Sequence, residues 1–271
     1  MTWWCSATGL PWSAQWVAYP GVWLLMLLLL LGYWRWGRVA GERGATRLFL
    51  VGLGLLWSAL DWPLGKLSGY LASAHTGQLI LIAMAAPGFL LAGWRPRLGK
   101  VEATSRLGRA LRWLAHPLPA FLGYNTILLV THVPDVVDLL MARQLGSFAI
   151  DLFWLVSGLF LWWPVVAPDR LRRLSPPLQM AYLFVQTIPA TLPAAFLIFA
   201  DYPLYQLYEL APRVTSALPP GYDHQVAGLL MKVVGDPVIW VGIAVVFFRW
   251  ARAEKRADVA AQAAGPGPAP R

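Results

Sequence analysis

The amino-acid sequence predicts an all-α membrane protein, a seven-transmembrane-helix bundle with its N-terminus outside and its C-terminus in the cytoplasm. Two observations predict it: seven apolar stretches, and connectors whose positive charge alternates along the chain. A hydrocarbon core of about 30 Å needs about 20 helical residues, and only helices or closed barrels satisfy every backbone group within it. The stretches are residues 17–34, 47–62, 76–94, 118–138, 150–166, 178–200 and 226–250.

The connectors set the orientation. Most of the 22 Lys and Arg residues follow the first, third and fifth stretches or lie in the C-terminal tail. Because cytoplasmic loops carry the excess of Lys and Arg, these segments are predicted to lie inside. The net charge of +9 therefore sits at helix ends on one side of the membrane, and we expect no nucleic-acid partner. Contact with anionic lipids is an expected secondary role of these basic residues at the cytoplasmic helix ends.

Composition supports a single membrane domain. The chain is 58% hydrophobic and 13% charged, whereas about a quarter of a soluble domain is charged. No basic region precedes the first stretch, so the first helix is expected to target the chain to the membrane. The predicted organisation is a short outer segment at 1–16, a seven-helix membrane domain at 17–252 and a disordered cytoplasmic tail at 253–271.

Acidic residues and histidines collect on the predicted outer side. His75 precedes the third helix, His132 is near the end of the fourth and His224 precedes the seventh. Imidazole suits copper or zinc, and carboxylates can complete the shell or orient the rings. The alternative is that polar residues simply lie near water and that each histidine is structural.

Two polar features lie deeper. His132, Asp135 and Asp138 are spaced three apart and would share one helix face, unless Pro134 ends the helix and leaves the two acids in a loop. Lys232 and Asp236, at i and i+4, can neutralise one another beside a break at Gly235-Asp236-Pro237.

Cofactor and enzyme classes are disfavoured. A lysine in a seventh helix would suit retinal, but the third helix has no carboxylate that could serve as the counter-ion. Membrane haem proteins usually supply their axial histidines from helix interiors, whereas the histidines of this chain lie near helix ends. We therefore expect neither retinal nor haem. Cys5 is the single cysteine, so no intrachain disulfide forms and no CxxC pair exists. No nucleophile elbow or phosphate-binding loop occurs, so the protein is predicted not to be an enzyme.

Several motifs, in order, resemble the seven-helix assembly factors of caa3-type cytochrome c oxidase, the bacterial CtaG family. The resemblance spans about residues 17–252 and rests on Ser73-Ala74-His75 with Gln78, Ala86-Pro87, His116-Pro117, Thr131-His132-Val133-Pro134, Ser157-Gly158 followed by Leu161-Trp162-Trp163-Pro164, and Asp223-His224-Gln225-Val226-Ala227-Gly228-Leu229-Leu230-Met231-Lys232. The resemblance implies a protein of the bacterial cytoplasmic (inner) membrane that helps to build the terminal oxidase and handles copper for it.

The sequence departs from the family at two places. The family has a second histidine where this chain has Leu79, and a Glu-His pair where this chain has Ile150-Asp151. His224 is not a usual family histidine. If the family's outer histidines bind metal, this member has lost two and gained one.

Together, the outer cluster and the resemblance predict a non-catalytic assembly factor that binds copper transiently for oxidase subunits. The predicted metal ligands are His75, His132, Asp151, Asp223 and His224. A copper or small-solute permease using the same cavity is the alternative function, and a scaffold without a ligand is a third.

Overall fold

The computed structural model describes residues 2–7 and 9–264, and 72% of the chain is helical. No β-strand occurs within these two ranges. The α-helices, in chain order, are α1 Pro20–Gly32, α2 Arg43–Leu60, α3 Leu64–Leu67, α4 Ala72–Leu79, α5 Ala86–Leu98, α6 Arg106–Leu114, α7 Pro117–Val130, α8 Pro134–Met141, α9 Gln144–Val166, α10 Pro176–Gln186, α11 Thr191–Phe199, α12 Gln206–Glu209, α13 Pro220–Leu230 and α14 Asp236–Ala264. The prediction of an all-α membrane protein is confirmed.

Within the described residues, five helical segments are long and apolar enough to cross a membrane: Arg43–Leu67, Ala72–Leu98, Gln144–Val166, Pro176–Phe199 and Pro220–Ala260. A sixth crossing arises if α7 and α8, which bend by 74° at their junction, form one span. The first predicted stretch contains α1, whose 13 residues rise only about 20 Å. A π-helical segment, Tyr33–Gly37, extends it. The count of seven crossings stays a prediction.

The fourth predicted helix is broken. Helix α7 ends at Val130, residues 131–133 form a turn, and α8 starts at Pro134. The ring of Pro134 removes a backbone donor and disfavours helical geometry at the residue before it. The single face of His132, Asp135 and Asp138 therefore does not form. Asp138 instead accepts hydrogen bonds from the backbone amides of Gln206 (3.2 Å) and Leu207 (3.0 Å) and caps α12.

The predicted disordered tail is partly helical. Helix α14 runs to Ala264, so residues 253–264 continue the last membrane helix. This stretch is rich in alanine and also contains the strong helix formers Glu254, Lys255 and Arg256, which favours continuation of the helix. The rest of the predicted tail, 265–271, lies outside the described residues.

The N-terminal segment packs against the bundle rather than lying free beside it. The backbone amides of Trp3 and Trp4 donate to the Gln144 side chain at 2.7 and 3.3 Å, and Gly21 N donates to Trp3 O at 2.9 Å. Farther along, Lys66 Nζ donates to Ser13 O at 2.6 Å. These contacts hold the segment over the end of the bundle that carries the candidate ligands.

Small residues bring the helices at the centre of the bundle together. A Cβ atom on Gly93 of α5 would meet Phe49 of α2 at 2.5 Å, and one on Gly158 of α9 would overlap Ala83 O and Pro87. Close backbone contact of this kind is how membrane helices gain packing energy. A π-helical segment, Ile80–Ala85, joins α4 to α5, and Trp162 Nε1 donates to its Met84 carbonyl at 2.6 Å. The helix carrying His75 is therefore fixed along its length.

Candidate functional site

Two of the predicted ligands, His75 on α4 and His132 in the α7–α8 turn, line one small cavity. The cavity measures about 10 Å³, room for roughly one water molecule. The other lining residues come from α4, α7–α9, α11 and the segment before α12: Ala72, Thr76, Leu79, Thr131, Val137, Trp154, Leu197 and Tyr205. We call this the histidine cavity.

The imidazole of His75 is buried, and neither of its ring nitrogens forms a hydrogen bond with any described residue. The residue is 6% exposed. Gln78, one turn along the helix, directs its amide nitrogen to Ala59 O (2.8 Å) and Cys5 Sγ (3.8 Å) instead. The ring packs against the indole of Trp154, with centroids 4.6 Å apart. Buried polar atoms in proteins are nearly always paired, so an unpaired imidazole beside a cavity marks a candidate ligand.

His132 differs from His75 because one of its ring nitrogens is hydrogen-bonded, which leaves only Nε2 available to a ligand. Its Nδ1 lies 2.7 Å from the carbonyl oxygen of Leu128. A carbonyl only accepts, so Nδ1 carries the hydrogen and the lone pair of the neutral ring is on Nε2. A backbone carbonyl on the second nitrogen is the usual way in which a metal-binding histidine is oriented.

Trp154 supports both histidines. Its indole nitrogen donates to Thr131 Oγ1 at 2.9 Å, and Thr131 Oγ1 donates to Ile127 O at 2.8 Å. The residue is 1% exposed. Trp154 thereby joins α9 to the end of α7, where His132 lies, and covers the ring of His75. The sequence reasoning missed this residue, although it follows the predicted ligand Asp151 by one helical turn.

Asp223 caps the helix that carries His75. Its carboxylate accepts hydrogen bonds from Ala72 N (2.6 Å), Ser73 N (3.2 Å) and Ser73 Oγ (2.5 Å). Leu71, at the N-cap position of α4, has no side chain that could do this. The carboxylate is thus engaged by the N-terminus of α4, where a negative charge is stabilised.

His224 positions the wall of the histidine cavity. Its Nε2 accepts a hydrogen bond from Tyr205 N at 3.2 Å, and its Nδ1 lies 2.8 Å from Pro220 O. Both nitrogens are therefore occupied. The Tyr205 hydroxyl donates in turn to His132 O at 3.3 Å. His224 thus acts on the cavity through Tyr205.

Asp151 faces the N-terminal segment. Its Oδ2 accepts a hydrogen bond from the indole of Trp4 at 2.7 Å and lies 4.0 Å from Cys5 Sγ. Its Oδ1 is buried and has no partner in the part of the chain that the structure describes. A second cavity of about 10 Å³ borders this carboxylate. Burial, together with the nearby charge of Asp151, raises the pKa of the Cys5 thiol well above its ordinary value.

The five predicted ligands therefore divide into three environments. His75 and His132 line the histidine cavity. Asp223 caps α4 and His224 binds Tyr205, so these two residues position parts of the cavity lining. Asp151 binds the indole of Trp4. Across residues 2–7 and 9–264, no group of three or more His, Cys, Asp or Glu side chains is arranged to hold a metal ion.

The family described as cytochrome c oxidase caa3 assembly factor (Caa3_CtaG) matches residues 27–253, most of the chain. The chain belongs to this family. The Caa3_CtaG match confirms the resemblance carried by the sequence motifs, and it spans every predicted ligand. Comparison with curated proteins and with solved structures gave no match.

Membership of the Caa3_CtaG family identifies a multi-pass membrane protein that assists assembly of cytochrome c oxidase. A family of assembly factors implies a non-catalytic role and association with the oxidase. It does not favour the alternative prediction of a copper or small-solute permease.

Proposed function

We propose that this protein hands copper to a haem-copper cytochrome c oxidase subunit at the outer face of the bacterial cytoplasmic membrane. In this proposal the chain crosses the membrane seven times, its N-terminus is outside, and copper is a transient cargo. The observation that carries the proposal is the buried, unpaired imidazole of His75 beside the cavity that His132 also lines. Family membership supports the oxidase as the client.

The proposed copper ligands are His75 and His132. Each ring presents a nitrogen that forms no hydrogen bond with the described residues, and imidazole is a good ligand for copper. Asp223 and His224 act as positioning residues, because one caps α4 and the other holds Tyr205. A site with only two protein ligands leaves coordination positions open, so a client's own ligands can take the metal by exchange.

In this proposal Asp151 is not a copper ligand together with the histidines. Its role is to hold the N-terminal segment in place. It lies one helical turn before Trp154 and binds the Trp4 indole. Through these contacts it fixes the N-terminal segment beside the helix that packs on His75. Opening of that segment would expose the carboxylate and Cys5 to an incoming metal or client.

The test is deletion of the gene followed by measurement of cytochrome c oxidase activity in membranes, grown with and without added copper. Lost activity that copper restores supports copper delivery. Lost activity that copper does not restore contradicts it and favours a scaffold. Unchanged activity and normal haem spectra contradict an oxidase-assembly role altogether.

Complementation with variants tests the ligands. His75→Ala and His132→Ala should fail to restore oxidase activity at low copper and should lower the copper bound per purified protein. The control is His116→Asn, because His116 Nδ1 only caps α7 by accepting from Leu118 N at 3.3 Å, and asparagine is a good cap. Copper binding that is unchanged in both alanine variants would remove the histidine cavity from the proposal.

A further inference from the structure

Two helix irregularities meet on the side of the bundle, at the level of the hydrocarbon core. Helix α10 ends at Gln186 and α11 begins at Thr191, so the backbone between them leaves the regular helical path. Opposite this break, the π-helical segment Met231–Gly235 joins α13 to α14. Extra-wide turns of this kind are frequent at functional sites. We call the surface formed by Thr187, Thr191, Lys232 and Asp236 the lateral notch.

The notch is held by a chain of polar contacts. Lys232 Nζ pairs with Asp236 Oδ2 at 2.5 Å and donates to Thr191 Oγ1 at 3.0 Å. The Thr191 hydroxyl donates to Thr187 O at 3.1 Å. The pair is not enclosed, because the side chains of Lys232 and Asp236 are 31% and 17% exposed. The notch is therefore polar and open to the side.

The Lys232–Asp236 pair lies deep in the membrane, where exposing charged groups to lipid costs free energy. Asp236 lies ten residues into the predicted stretch 226–250, about 15 Å along the helix and close to the middle of a hydrocarbon core of about 30 Å. Charged residues at this depth normally face the interior of a bundle or a water-filled cavity. Irregular backbone is likewise tolerated there only where protein or water covers it.

The residues around the notch are apolar and outward-facing. Ile188 and Leu192 beside the break are 59% and 56% exposed. Val233 in the π-helical segment is 68% exposed, and Trp240 on α14 is 51% exposed. A regular lipid-facing helix would account for these side chains alone. Together with the open ion pair and the break in α10–α11, they outline a surface that another helix can cover.

We propose that the lateral notch binds a transmembrane helix of an oxidase subunit during assembly. This inference rests on the proposed assembly function and adds where the client is held. The bound helix carries an uncharged hydrogen-bonding side chain, such as Ser, Thr, Asn or Gln, at mid-membrane. The Lys232–Asp236 pair is neutral overall, so a charged partner would leave an uncompensated charge in the membrane.

The hydrogen-bonding capacity of Lys232 suits a client helix that binds reversibly. An ammonium has three donors, and the contacts to Asp236 and Thr191 use two of them. Hydrogen bonds between membrane helices add only modest affinity, so one such bond with apolar packing around it gives reversible docking. An assembly factor needs this reversibility, since it must release the finished oxidase.

Site-specific photo-crosslinking tests the notch in native membranes. A benzophenone amino acid replaces Val233 at the notch or, as the control, Phe248, which is 56% exposed on α14 and about 22 Å farther along the chain's helical path. Each oxidase membrane subunit carries a distinct tag. We expect an adduct with one tagged subunit from position 233 at about five times the yield from position 248.

Two variants decide whether the polar groups matter. Lys232→Met and Thr191→Val should each lower the adduct from position 233, by about fivefold for the first, with membrane levels of the protein unchanged. Should Lys232→Met not accumulate in membranes, Thr191→Val alone decides. Adducts only with lipid, adducts with a second copy of this chain, equal yields at both positions, or yields unaffected by either variant would each overturn the proposal.

The deletion strain separates the two proposals. If deletion removes oxidase activity while position 233 forms no subunit adduct, the assembly role stands and the notch proposal fails. If deletion leaves oxidase activity unchanged, the assembly role fails, whatever the crosslinking gives.

Discussion

Asp223 and Ser73, which are 150 positions apart in the sequence, form the hydrogen bond that starts helix α4. The Ser73 hydroxyl donates to Asp223 Oδ1 at 2.5 Å, and the carboxylate also accepts from the first backbone amides of the helix. A buried carboxylate from α13 thus replaces the N-cap residue that α4 lacks. Because His75 follows two residues later, the orientation of its ring depends on a residue of the last membrane segment.

Replacement of this carboxylate should therefore destabilise the protein. Asp223→Ala leaves the Ser73 hydroxyl and two backbone amides unpaired in a buried site, which lowers the unfolding free energy by about 1–3 kcal/mol. The measurement is thermal unfolding in detergent. Asp201→Ala, at an exposed position outside the helices, is the control and should change stability by less than about 0.5 kcal/mol. Equal transition temperatures for the two variants would contradict a capping role of Asp223.

Cys5 should react slowly with thiol reagents in the native protein. The residue is 1% exposed, and burial raises the pKa of its thiol, so the thiolate fraction at neutral pH is smaller than that of a free cysteine. Trp4→Ala removes the indole that covers this region and binds Asp151, and alkylation should then speed up about tenfold or more.

The readout is the mass shift after timed exposure to a polyethylene-glycol maleimide in native membranes. Trp16→Ala, which removes an indole that is 58% exposed, should leave the rate unchanged. Rapid labelling of the unaltered protein, as fast as in denaturing detergent, would contradict the packing of the N-terminal segment.

Two glycines should respond to alanine in opposite directions. A methyl group at Gly158 would overlap Ala83 O and Pro87, so Gly158→Ala should cost about 1–3 kcal/mol by overpacking. At Gly54 of α2, no described atom outside its own helical turn lies within 4 Å of an added methyl group. Gly54→Ala should therefore stabilise the helix by about 0.5–1 kcal/mol. Transition temperatures in detergent measure both, and a gain in stability at Gly158 would show that α9 and the segment around Ala83 do not pack as described.

Labelling from the two sides of the membrane tests the predicted topology. In a Cys5→Ser background, Trp16→Cys should be labelled in intact cells by an impermeant maleimide. Asp258→Cys, on the helical extension of α14, should be labelled only after permeabilisation. Seven crossings put the chain ends on opposite sides, whereas six would put both on the same side. Labelling of both cysteines in intact cells would contradict seven crossings.

The sequence by itself determined the class of this protein, its membrane setting and its family. Apolar runs near the length of a bilayer force helices, because no water is present in the hydrocarbon core to satisfy the backbone. The length and hydrophobicity of each run follow from the local sequence and do not depend on how the helices pack. The motifs around His75, His132 and Asp223 indicated the Caa3_CtaG family, which the match over residues 27–253 confirms.

Only the tertiary structure decided what each polar residue does. The sequence placed five candidate ligands on one side of the membrane, but it did not indicate that Asp223 caps α4, that His224 holds Tyr205, or that Trp4 reaches Asp151. Pro134 signalled the break beside His132, whereas nothing local predicted the cover that Trp154 provides. The physical reason is that hydrophobicity acts along each segment, while a hydrogen bond between helices depends on which faces meet when the bundle packs.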